Sequence, residues 1–138
     1  MHISTKPSTM GSSIRAPYVE NEFCYDPKRN KTGSRSHSFS FRGSIHVNGR
    51  EGTPVRLLMD KALKHFNNVT ITNIPRNKGA AFSKDALARE LLGVTFALVP
   101  AGDTPESSRF YDAIACGCIP VVISDKFRFA FSDRIDYS

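Results

Sequence analysis

VTFALVPAGDTPESSRFYDAIACGCIPVVIS, residues 94–124, decides the fold class of this chain. VTFALV (Val94 to Val99) and CIPVVIS (Cys118 to Ser124) are near-continuous apolar runs, the character of strands covered on both faces, as parallel sheets require. Between them PAGDTPE is rich in turn formers, and the spacing predicts a helix over about Ser107 to Cys116. Two buried strands joined by a crossover helix form a parallel pair.

Working upstream, the same alternation repeats. FSFRG (Phe39 to Gly43) alternates like a short strand, and a glycine-containing loop, Gly43 to Gly52, leads into TPVRLLMDKALKHF. That segment is expected to be helical: Thr53 can cap, Pro54 suits a first turn, and Val55, Leu58, Met59, Ala62 and Phe66 recur as a core face. VTITNI (Val69 to Ile74) reads as a strand. Ser83 with Asp85 opens a second helix through Ala86, Leu87, Arg89, Glu90 and Leu91, which Gly93 stops. The order β-α-β-α-β-α-β predicts an α/β, Rossmann-like parallel sheet with helices on both faces, in one domain over residues 39–138. Residues 1–38, rich in Ser, Thr, Pro, Asn, Lys and Arg, read as a linker or poorly ordered arm.

Composition bounds the function. The net charge of +6 sits in one stretch, where Lys28, Arg29, Lys31, Arg35, Arg42, Arg50 and Arg56 face Glu51 alone. Such an excess fits a nucleic acid, a membrane surface, a phosphate-bearing ligand or a solvated basic loop, and charge does not choose among them. Three cysteines, Cys24, Cys116 and Cys118, leave an odd thiol if any pair forms, and Cys116 and Cys118 are expected to serve packing, with a catalytic thiol as the lesser reading. Their spacing is no zinc ladder, and His2, His37, His46 and His65 show no paired ligand spacing, so no metal site is expected. No apolar run is long enough to span a membrane, and the start lacks the apolar core of a signal peptide. Asn30-Lys31-Thr32 and Asn68-Val69-Thr70 have the form of glycosylation acceptors and lend slight support to a lumenal protein.

In such sheets ligands bind beyond the carboxyl ends of the strands. The loop after Val99 is the richest candidate. Pro100, Gly102 and Pro105 shape a turn, and Ser107 and Ser108 stand where the next helix begins, with free N–H groups and a positive dipole end. Arg109 adds a forked cation suited to phosphate, and Asp112 is placed to hold sugar or ribose hydroxyls, while Phe110, Ala113, Ile114 and Gly117 form the expected core stripe. An Arg109–Asp112 surface ion pair with capping serines explains the spacing equally well. The loop is neither GxGxxG nor a P-loop, and no Asp-x-Asp is present.

FALVPAGDTPESSRFYDAIACGCIPVVISDKFRFAFSDRIDYS, residues 96–138, closely resembles the carboxyl-terminal signature of the exostosin family of glycosyltransferases. APYV (Ala16 to Val19), FSFRG and the Arg56-Leu57 helix follow that family's order upstream, so the resemblance runs from about residue 14. It implies the nucleotide-sugar-binding half of a two-domain GT-B enzyme, which moves a sugar from a nucleotide donor, a UDP-sugar, onto a glycan acceptor with inversion and without a tightly held metal. By position, Arg42, Gly102, Asp103, Ser107, Ser108 and Arg109 would hold the donor diphosphate, and Asp112 the ribose or transferred sugar. The resemblance further implies that the acceptor domain, the catalytic base, the final helices and a Golgi membrane anchor lie outside these 138 residues, that the domain faces the lumen, and that this half alone does not turn over. Two other readings stand beside it: a non-catalytic nucleotide-sugar-binding or structural module, and a nucleic-acid-binding module carried by the basic stretch. The last ranks lowest, since no nucleic-acid motif accompanies the charge and no nucleic-acid partner is expected.

Overall fold

The computed structural model describes Cys24 and residues 35–46, 52–75, 83–132 and 134–137. Among these residues four strands and three helices alternate: β1 (Ser36–Gly43), α1 (Gly52–Leu63), β2 (Val69–Asn73), α2 (Lys84–Gly93), β3 (Val94–Pro100), α3 (Arg109–Ala115) and β4 (Ile119–Ile123). The sheet is parallel throughout in the order β2-β1-β3-β4. The expected α/β, Rossmann-like architecture is therefore present.

Alternation along the strands builds two apolar layers. On one face Phe41, Ile45 and Leu98 pack with Met59 of α1, and Phe39, Leu63, Val69, Ile71, Val121 and Ile123 close around them. On the other, Ala97 lies under Leu87, Ala88 and Leu91 of α2 and Ala113 and Cys116 of α3. β3 is covered on both faces, which is why VTFALVP carries so few polar residues, whereas β1 alternates Phe39 and Phe41 with polar residues, Ser40 among them buried. Ser83 opens α2 as expected, its side chain accepting from the Ala86 N–H at 3.3 Å.

The structure corrects several expectations. The buried face of α1 is Gly52, Arg56 and Met59, with Leu63 partly buried, while Leu58 and Phe66 are 66% and 58% exposed. The helix starts at Gly52, so Thr53 lies inside it rather than capping it. Gly52 is needed there because a Cβ would overlap the carbonyls of Ala101 and Gly102. In the α3 stripe, Phe110 and Ala113 are buried but Ile114 is exposed. β4 lies at one edge of the sheet, and where full burial was expected it is only partly buried, with Ile119 exposed.

Cys116, read as a packing thiol, is joined to Cys24 in a disulfide across 92 residues of sequence, with the two Cα atoms 4.8 Å apart. Cys118 remains a buried free thiol. β1 begins at Ser36, three residues inside the expected arm, and Cys24 is buried in the α2/α3 layer. The rest of the arm, residues 1–23 and 25–34, lies outside the described residues. Arg35, beside the disulfide, donates from Nη1 to the carbonyls of Leu91 (3.1 Å) and Val94 (2.9 Å) and from Nη2 to that of Cys116, fixing the start of β1 to the ends of α2 and α3.

Candidate functional site

The winding of the sheet reverses between β1 and β3. From β1 the chain passes over one face through α1 to β2, then over the other face through α2 to β3, which leaves the carboxyl ends of β1 and β3 as the rim of a crevice. The Arg109 side chain, from the first residue of α3, reaches this point: its Nε donates to the Arg42 carbonyl at 3.0 Å, and its Cζ lies 5.2 Å from the Phe41 ring centroid. Gly43 makes room for it, since a Cβ there would overlap the guanidinium. Its φ of +158° also disfavours side chains.

A second guanidinium arrives from α1. Arg56, only 3% exposed, donates from Nε to the Ala101 carbonyl (2.8 Å) and from Nη1 to that of Ser44 (2.7 Å), with Cζ 5.6 Å from the same ring. It thereby clamps the loop after β1 to the loop after β3. Two cations thus lie against one aromatic ring at the carboxyl edge. Burial drives the Arg109 guanidinium below its ordinary pKa, and the charge of Asp112 opposes that shift. A further anion at this rim would relieve the same desolvation cost.

The remaining expected residues divide into two groups. Gly102 lies buried in the rim loop, donating from its N–H to the Thr104 carbonyl at 2.8 Å, and that loop is held to β4 by Ser124, whose hydroxyl donates to the Pro105 carbonyl at 2.9 Å. Ser107 is buried with its Oγ accepting from the Arg109 N–H at 3.4 Å; Ser108 precedes α3 without a side-chain capping bond. Asp103 is exposed and Asp112 half-buried. The structure thus gathers Gly102, Ser107 and Arg109 around one loop. Arg42 contributes its carbonyl, but its guanidinium turns to α2, where Nη1 pairs with Glu90 Oε2 at 3.3 Å. Among the described residues, Arg42 Nε, Glu90 Oε1 and Ser40 Oγ are buried without a hydrogen-bond partner. No three His, Cys, Asp or Glu side chains of the described residues come together as a metal site.

Phe41, Gly43 and Arg56 are the parts that sequence reasoning missed. An arginine inside an amphipathic helix reads as solvent-facing, and only its family-ordered place beside Leu57 marked it.

A parallel, doubly wound sheet with guanidinium groups gathered at its switch point defines a Rossmann-like domain suited to an anionic ligand. The exostosin GT47 domain matches residues 7–138, nearly the whole chain. Similar proteins include a probable arabinosyltransferase of Arabidopsis thaliana, 33% identical over 64% of this chain, and an exostosin-1 homologue of Caenorhabditis elegans, 27% identical over 91%. A probable glucuronosyltransferase of Oryza sativa subsp. japonica is 28% identical over 98%. The chain belongs to the exostosin GT47 family of glycosyltransferases. It spans 19%, 38% and 30% of the length of these three relatives, respectively.

Proposed function

We propose that this chain is the donor-binding part of an exostosin-family glycosyltransferase, which transfers a sugar from a nucleotide sugar, a UDP-sugar, to a glycan acceptor with inversion. The observation that carries this reading is the Arg109 guanidinium held over Phe41 at the switch point, beside the Gly102 loop and Ser107. As the anomeric C–O bond breaks, the departing nucleoside diphosphate gains negative charge, and a preorganised arginine with nearby N–H donors stabilises it. The acceptor hydroxyl attacks from the opposite face, its proton passing to a base on another part of the polypeptide. In this reading Asp112 meets the ribose or sugar hydroxyls, and Asp103 lies at the mouth of the site. Arg42 joins the diphosphate only by giving up Glu90, so Arg109 supplies the charge. The Cys24–Cys116 disulfide supports placement on the lumenal side of the Golgi membrane, because such bonds persist in oxidising compartments.

The test is calorimetric titration with UDP and UDP-sugars on the wild-type chain and on Arg109→Ala, with circular dichroism confirming that both are folded. Loss of a charge-assisted phosphate contact of about 1.5–3 kcal/mol predicts roughly 10- to 100-fold weaker binding in the variant. Equal affinity in the two would remove Arg109 from the site. Absence of nucleotide binding by the folded wild type would leave the structural-module reading.

A further inference from the structure

We infer that Asn68 is an N-linked glycosylation site, presented by an aromatic-flanked turn at the amino-terminal end of the sheet. Asn68-Val69-Thr70 has the acceptor form, and the local fold displays it. After α1 ends, the Phe66 N–H donates to the Leu63 carbonyl and the Val69 N–H to the Phe66 carbonyl, each at 3.1 Å, so the chain reverses with Asn67 and Asn68 at the tip. Val69 then turns inward onto the α1 layer, while Asn68 and Thr70 are exposed. Phe66, two residues before Asn68, is 58% exposed. Its ring offers an apolar face to the first sugar of a glycan on the neighbouring amide.

The location is permissive. Asn68 precedes β2, an edge strand, whereas Arg109 stands at the opposite ends of the strands, where Asn73 pairs with Gly43. Five strand residues at about 3.3 Å each separate the two levels by roughly 16 Å, so a glycan here leaves the crevice open. It also covers Phe66 and sets a polar bulk beside the outer edge of β2, which has no further strand among the described residues and where strand-to-strand association would begin.

The compartment rests on the lumenal placement proposed above. The chemistry is that of the cell's glycosylation machinery: the Asn68 amide nitrogen attacks the anomeric carbon of an oligosaccharide carried on a lipid diphosphate. A C–N bond forms, the anomeric C–O bond breaks, the lipid diphosphate leaves with the electron pair, and the amide proton passes to a base of the transferring enzyme.

The experiment is expression of this chain behind a cleavable secretion signal in eukaryotic cells, with intact mass and peptide mapping before and after N-glycosidase. The expected result is a mass increment that the glycosidase removes, leaving aspartate at position 68, and that is lost in Asn68→Gln and in Thr70→Ala. Phe66→Ala is expected to lower the occupied fraction. An unmodified residue 68 in secreted chain that carries the Cys24–Cys116 disulfide overturns the inference, as does a glycan confined to Asn30. UDP titration of Asn68→Gln keeps the two readings apart: loss of nucleotide binding in every form counts against the donor site and leaves the glycan mass unaffected.

Discussion

The Cys118 thiol donates to the Leu91 carbonyl at 3.0 Å and accepts from Arg35 Nη1 at 3.4 Å, inside the layer formed by α2 and α3. Burial raises its pKa above the ordinary thiol value, and the charge and hydrogen bond of Arg35 act against that rise. The sign of the consequence follows from linkage. In the unfolded chain the thiol loses its proton in its ordinary range, about pH 8.5, while in the folded chain it holds the proton longer. Its contribution to stability is therefore complete below that range and declines as pH rises through it toward the folded value. Denaturant midpoints measured across this range should fall with pH in the wild type, and part of that fall should vanish in Cys118→Ala. The same protonation keeps Cys118 inert toward thiol reagents in the native state at neutral pH.

Among the elements, α1 shows most clearly where sequence and structure part. Helical spacing correctly marks its existence, but Leu58, Ala62 and Phe66 look like core and are exposed, while Arg56 looks like surface and is buried. Periodicity assigns a face by hydrophobicity, yet here the position is set by two backbone carbonyls that only a long forked donor reaches. The strands were more legible, since β3 reads as an apolar run covered on both faces and the alternation of Phe39 and Phe41 with polar residues marks β1. The edge position of β4 was missed, because IPVVI reads the same with or without an outer neighbour, as was the start of β1 at Ser36. In the site, the Gly102 loop and Arg109 could be read from their place after a buried strand. The Arg42–Glu90 pair, 48 residues apart in sequence, could not. Arg56→Met should destabilise the domain by roughly 2–4 kcal/mol in denaturant unfolding, since it leaves two carbonyls short of a charged donor. Arg56→Lys should rescue little, because an ammonium lacks the planar fork needed to serve both loops and lie over Phe41.

For the whole molecule, the disulfide is the largest constraint that no motif announced. Spacing says nothing of which of three cysteines meet; the pairing is made by folding, when α3 brings Cys116 to the point where Cys24 enters the α2/α3 layer. Closing so long a loop restricts the unfolded chain, and its loss in Cys24→Ser, or on reduction, should cost about 2–5 kcal/mol. Paired denaturation curves with and without reductant measure this directly. The bond also decides how the domain bears load. Cys24 and Cys116 bracket β1, β2, β3 and all three helices but leave β4 outside. A pull applied between residues near the two ends of the chain passes through the covalent link and bypasses everything between them. The outer strand, paired with β3 alone among the described strands, then peels away first while the rest of the sheet stays slack.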